Sequence, residues 1–185
     1  MNIGGCNTEL LNIDPALAVS FSGHRPERLP GNGDLDTPEI QKLSVLLRHE
    51  IIAAIDRGMT TFLHGCMAGF DLFAALQVME VKKQYPHVRL VSVAPYAVHF
   101  FTKEKCWTPE WVNRAREVFD KHDFGISLAE HYRSGIYYER NRVLVAHSSM
   151  LICYYDGGNG GTKYTVGKAI EKGLTVKNLY GEGVI

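Results

Sequence analysis

The sequence predicts an α/β fold of the Rossmann-like kind, a three-layer sandwich in which helices cover both faces of a mostly parallel sheet. Two observations carry this. Short apolar runs alternate with helix-like segments from residue 17 to residue 179, the pattern of repeated strand-helix units. Three of those runs exit directly into glycine-bearing turns, as strands of a parallel sheet do where a ligand crevice opens. With 185 residues, 45% of them hydrophobic and 22% charged, the chain can bury a substantial core, and one domain over residues 1–185 is expected. Residues 1–14, with Gly4, Gly5 and Asn7 among them, read as a loose tail.

Leu17 to Phe21 is the first strand, entering a long loop through Ser22-Gly23 and Pro26. Asp36-Thr37-Pro38-Glu39 starts a helix, with an acceptor as cap and proline in the first turn. Ile40, Leu43, Leu46, Leu47, Ile51, Ile52 and Ile55 then recur at helical spacing, and Gly58 stops them. Met59 to His64 is a strand and Gly65 to Gly69 its exit turn; the helix from Phe70 ends before Pro86, and Val88 to Ala94 is a third strand. The aromatic-rich stretch from Tyr96 to Trp111 reads as a long loop running into a helix over 109–121. Within it, His99, Phe100, Phe101, Trp107 and Trp111 suit a lid or a contact in a homo-oligomer, with a satellite of the core as the alternative. A short strand at 124–128, a helix at 136–147, a strand at 150–155, a helix from Tyr164 to Lys172 and a last strand at 174–179 complete the alternation.

Twenty Lys and Arg balance twenty Asp and Glu, for a formal net charge of +0. Nucleic acid is therefore a disfavoured partner, because such binding leans on cations that neutralise phosphates. No apolar run approaches the ~18 residues that span a bilayer, and Met1 to Asp14 lacks the pattern of a signal peptide, so a cytoplasmic protein is expected. Cys6, Cys66, Cys106 and Cys153 are scattered and the histidines lack ligand spacing, which gives no reason to expect a metal.

Asp156-Gly157-Gly158-Asn159-Gly160-Gly161-Thr162 lies between a strand and a helix. Glycines there let main-chain N–H groups approach an anion at the positive end of a helix, so a phosphate-bearing small molecule is the expected partner; a plain surface turn is the alternative. In a parallel sheet the exits Ser22-Gly23-His24-Arg25 and Gly65-Cys66-Met67-Ala68-Gly69-Phe70-Asp71 share the same edge. His24 and Arg25 offer a switchable and a permanent positive charge, against plain roles in packing and surface pairing. Asp71 sits in the first turn of its helix, where the dipole favours a carboxylate, and could instead accept from a ribose. Thr162 could cap its helix or meet a phosphate. Arg140, Asn141 and Arg142 suit phosphate or carboxylate, and Tyr96 or Tyr138 could stack on a base.

In this order, the segments at 22–26, 65–71, 140–142 and 156–162 resemble those of the YpsA-like family of the SLOG superfamily, with the likeness running from Ala16 to Leu179. Its relatives include the LOG phosphoribohydrolases and the DprA/Smf DNA-processing proteins. The resemblance implies a nucleotide or nucleotide-derived ligand, such as ADP-ribose or NAD, at the glycine-rich strand exits, in a sensor or regulator. LOG enzymes are similar through Gly160-Gly161-Thr162 but carry a glutamate where this chain has Thr165, a hydroxyl that cannot serve as a base near neutral pH. Binding is thus the leading expectation. LOG-like cleavage of an N-glycosidic bond, with Asp71 or Glu139 as the substitute carboxylate, is the alternative, and DprA-like binding of single-stranded DNA is the third.

Overall fold

The computed structural model describes residues 11–97 and 104–181. Six strands form one sheet: β1 (Ala18–Gly23), β2 (Thr61–His64), β3 (Arg89–Ala94), β4 (Phe124–Ser127), β5 (Met150–Tyr154) and β6 (Thr175–Asn178). Their order is β4-β3-β2-β1-β5-β6 and each pairing is parallel. Parallel neighbours require crossovers, and α1 (Pro38–Asp56), α2 (Phe70–Lys82), α3 (Pro109–Lys121), α4 (Ile136–Ala146) and α5 (Gly161–Lys172) supply them. The chain builds outward from β1 to β4, then returns to place β5 on the other side of β1, with Val19 level with Phe62 on one flank and Met150 on the other. Strand order therefore reverses between β1 and β5, where crevices form in such sheets.

Alternation along β1 explains the two helical layers. Val19 and Phe21 face a core shared with Ile40, Leu47, Phe73 and Trp111, from α1, α2 and α3. Ala18 faces the opposite side with Ile136 and Leu144 of α4, while Leu151 and Cys153 of β5 meet Ala169 of α5. A sheet covered on both faces accounts for the unbroken apolar runs, and β2 and β5 are buried at every position.

The first helix starts and stops as expected: the Thr37 hydroxyl accepts from Ile40 N–H at 3.5 Å, and Gly58 turns the chain at φ +91°. Three readings change. Helix α5 begins at Gly161 rather than Tyr164, because the end of the glycine turn is already helical and Tyr164 N–H closes onto the Gly160 carbonyl at 3.3 Å. Trp107 and Trp111 are core residues rather than a lid, since Trp111, Ala115 and Val118 make the buried stripe of α3; His99, Phe100 and Phe101 lie outside the described residues. The described end of the expected tail, residues 11–14, is anchored, with Leu11 buried beside Ala18 and Asp14 bonding Ala16 N–H at 2.9 Å. No helix among the described residues is long and apolar enough to cross a membrane.

Candidate functional site

A crevice of about 220 Å³ opens at the carboxyl edge of the sheet. It is lined by Ser22, Gly23, His24, Arg25, Glu27 and Arg28 after β1, by Met67 and Asp71 after β2, by Tyr137, Arg140 and Asn141 of α4, and by Gly160, Gly161 and Thr162 at the start of α5. Two glycines bring the first two loops together. A Cβ on Gly23 would lie 2.5 Å from the Phe70 side chain, and one on Gly69, which holds φ +99°, would press on the His24–Arg25 main chain. That close approach lets Phe70 N–H bond the His24 carbonyl at 3.0 Å.

Beneath the crevice, Arg140 crosses over Gly65, whose missing side chain leaves the space its guanidinium fills. Arg140 Nη1 donates to the Gly65 carbonyl and to Asp71 Oδ2, the latter at 2.9 Å. Both side chains are less than one tenth exposed. Burial pushes the Asp71 carboxyl above its usual range, and the Arg140 charge offsets part of that rise. Arg140 Nε is buried with no hydrogen-bond partner among the described residues, an unusual state for a charged group that lines a crevice. Cys66 next door is sealed off, and burial drives its thiol far above the ordinary value, so it is not a reactive nucleophile.

The glycine-rich loop is tied down by a residue that sequence reasoning missed. Arg28 Nη2 donates to both Asp156 oxygens at 2.5 and 2.6 Å and Nε to Oδ2 at 3.2 Å. Gly158 N–H adds a bond to Asp156 Oδ1 at 2.8 Å, and these donors, Arg28 first, hold the Asp156 carboxyl far below the usual carboxylate range. His24 is 4% exposed, and burial followed by the Arg28 charge lowers its pKa. Its Nε2 accepts from Asp156 N–H at 3.1 Å and lies 2.9 Å from Asp156 Oδ1, a contact that works against that lowering. No sequence spacing marks Arg28; only its place in the β1 exit loop was available as a signal. Glu27, in the same loop, was missed likewise, and Tyr137 of α4 has no spacing that marks it either.

Helix α5 opens without a side-chain cap, on Gly160 at φ +140°. Its first N–H groups therefore keep their donors for an outside partner. Asn141 Nδ2 reaches the Gly161 carbonyl at 3.5 Å. Thr162 lies inside the helix rather than capping it, and lines the crevice. Thr165 is fully buried, absent from the lining, and donates its hydroxyl to the Gly161 carbonyl at 2.9 Å.

Of the residues singled out in the sequence, Ser22, Gly23, His24, Arg25, Met67, Asp71, Arg140, Asn141, Gly160, Gly161 and Thr162 meet on the crevice. Gly65, Ala68 and Gly69 are buried in the loop that shapes it, and Asp156, Gly157 and Gly158 belong to the clasped loop beside it without lining it. Glu139 bonds Arg133 at 2.6 Å and does not line the crevice. Arg25 faces Glu104 at 3.6 Å while also lining the crevice. Tyr96 is buried against Tyr137, Tyr138 lies edge-on to Tyr164, and Arg142 donates to the Tyr164 hydroxyl at 3.2 Å. Among the described residues no group of three or more His, Cys, Asp or Glu could hold a metal.

Comparison with known proteins bears on the fold and the family. The chain is 24% identical over 153 residues to a UPF0398 protein of Brevibacillus brevis, covering 82% of this chain and 79% of that one. It is 24% identical over 154 residues to the UPF0398 protein YpsA of Bacillus subtilis, covering 82% and 83%. Among solved structures, the fold matches DNA processing protein A of Helicobacter pylori, described by its single-stranded DNA binding mode, with a TM-score of 0.61 at 18% identity over 93% of this chain and 68% of that one. It also matches DNA processing protein A (DprA) of Streptococcus pneumoniae, with a TM-score of 0.55 at 13% identity; there the chain spans 52% of its relative. The profile of the YpsA family, described as the YspA SLOG family, matches residues 19–179. Most of the chain, including each strand exit that walls the crevice, thus falls within that match, and the protein belongs to the YpsA family of SLOG proteins.

Proposed function

We propose that the protein binds a nucleotide or nucleotide-derived ligand, of the ADP-ribose or NAD kind, by its phosphate at the β1/β5 crevice, and that it acts as a sensor or regulator rather than by cleavage. The observation that carries this is the uncapped first turn of α5, which opens onto the same crevice as Arg25, Arg28 and Arg140. Free N–H groups, a helix dipole and guanidinium groups together suit a phosphate. At about 220 Å³ the enclosed part is smaller than typical ligand sites of about 300–1,000 Å³, so it suits phosphate and sugar, with the rest of a larger ligand in the open mouth.

Calorimetry with AMP, ADP, ADP-ribose and NAD is expected to give at least one specific ligand, lost in Gly161→Glu, whose carboxylate would occupy the helix N-terminus. Silence across the panel would refute the reading.

Cleavage fits less well. The Thr165 hydroxyl is turned to a backbone carbonyl, Asp71 is held by Arg140, and Glu139 is held by Arg133. Release of free base from nucleoside monophosphates, lost in Asp71→Asn, would reverse that judgement. The fold shared with a protein described as binding single-stranded DNA keeps a nucleic-acid reading in view, against a net charge of +0. Salt-dependent retardation of an oligonucleotide would favour it.

A further inference from the structure

Arg28 stands where an anion at the α5 N-terminus would need it. Its Nη1 lies 3.5 Å from the Asn159 carbonyl, one residue before the glycine that opens the helix, and its side chain lines the crevice. Yet Nε and Nη2, the edge of the guanidinium suited to a two-oxygen anion, are given to the Asp156 carboxylate. That carboxylate also takes the Gly158 N–H, from the same glycine-rich loop. The pair packs directly over Gly158, where a Cβ would meet Arg28 Nη2 and lie 3.0 Å from Asp156 Oδ1, so a side chain there would have to displace the clasp. A carboxylate of the chain itself thus holds an arginine and a loop amide beside the phosphate position.

We propose that Asp156 is a specificity-determining residue: an internal competitor that admits doubly charged phosphate groups to Arg28 and keeps singly charged carboxylates out. The proposal rests on the phosphate reading of this crevice. Exchanging one carboxylate for another at the same guanidinium gains no contact, while the incoming ligand loses translational freedom. A phosphate group brings about −1.5 to −2 charges near pH 7 and three strong acceptor oxygens, enough to bond Arg28 and the α5 N–H groups together. On this account the ligand draws Arg28 away from Asp156, and the glycine-rich loop loses the clasp that joins it to the β1 exit.

Asp156→Asn tests this, because the amide keeps the size of the side chain and an oxygen for the Gly158 N–H while removing the charge, which also acts on His24 Nε2 at 2.9 Å. Titration calorimetry with AMP, ADP-ribose and inorganic phosphate, and with acetate as the singly charged probe, is expected to show phosphate ligands bound about five-fold or more tightly by the variant. Acetate, silent with the natural protein, should become a measurable competitor. Adding Arg28→Gln to Asp156→Asn should cancel both gains, and Asp156→Ser, whose hydroxyl can still accept from Gly158, should reproduce them if the amide variant folds poorly. Equal or weaker phosphate binding by both Asp156 variants overturns the proposal. If that happens while Gly161→Glu still abolishes AMP or ADP-ribose binding, the phosphate reading stands and only the competitor role falls; if neither natural protein nor variants bind any phosphate probe, both fall.

Discussion

Replacing Arg140 by methionine tests the floor of the crevice. The substitution keeps a long apolar stem but leaves the Asp71 carboxylate, 6% exposed, without its cation, and the Gly65 carbonyl without its donor. Removing one partner of a buried pair typically costs about 3–5 kcal/mol. The lower half of that range is expected here, because the variant also removes the unpartnered Arg140 Nε and because Asp71 can take up a proton. For a chain of 185 residues each kcal/mol corresponds to roughly 2–4 °C, so a Tm drop of about 6–16 °C follows for a loss of about 3–4 kcal/mol. Burial already raises the Asp71 carboxyl with Arg140 present, and without that charge it rises further. A folded value above the unfolded one means that the folded state binds more protons, so the variant loses stability as pH climbs from the ordinary carboxylate range through the raised value. Urea unfolding followed by circular dichroism at pH 5 and pH 8 should therefore show the larger deficit at pH 8. Asp71→Leu combined with Arg140→Met should recover much of it, since an apolar replacement of a buried pair is often neutral. A deficit under about 1 kcal/mol at pH 8, or strict additivity in the double variant, would refute the buried-pair account.

Three further outcomes follow from named contacts. Gly161→Glu should abolish ligand binding without loss of Tm, since a Cβ there has only Asn141 Nδ2 nearby, at 3.8 Å, and a carboxylate favours a helix N-terminus by about 0.3–1 kcal/mol; a lower Tm would contradict the open geometry. Gly69→Ala should cost more than about 1 kcal/mol in urea unfolding, through positive φ and collision with the His24–Arg25 main chain; a neutral result would mean that the two loops are not in close contact. Burial holds His24 and His122 below the ordinary value of 6.5, so the folded state binds fewer protons there than the unfolded chain. Stability is full above about 6.5 and declines as pH falls towards the depressed folded values. Melting curves at pH 7.5 and 5.5 should differ accordingly, with a smaller difference in His24→Gln/His122→Gln; an unchanged slope would count against the lowering of these two rings by desolvation.

Much of this was legible in the chain because the periodicities were clean. The run of Ile and Leu from 40 to 55 became α1, and the apolar run ending at Tyr154 became β5. The three glycine-bearing exits converge because parallel strands place their carboxyl ends on one edge. What stayed hidden depends on contacts distant in sequence. Arg28 and Asp156 are 128 residues apart, and nothing local marks either as the other's partner. Trp107 and Trp111 read as a lid or an oligomer contact ahead of a satellite of the core because their stretch lacked a repeat, whereas packing into the main core decided their burial. Thr165 was legible as a departure from the LOG pattern, but its turn towards the Gly161 carbonyl needed the helix to begin earlier than its apolar spacing suggested.

The central claim is that phosphate sits at the opening of α5. A crystal structure soaked with AMP or ADP-ribose tests it most directly. The account predicts phosphate density within hydrogen-bond distance of the Gly161 and Thr162 main-chain N–H groups, with Arg28 turned from Asp156 towards it. Ligand density that places a base or bare sugar there, or that lies away from the β1/β5 crevice, would contradict it.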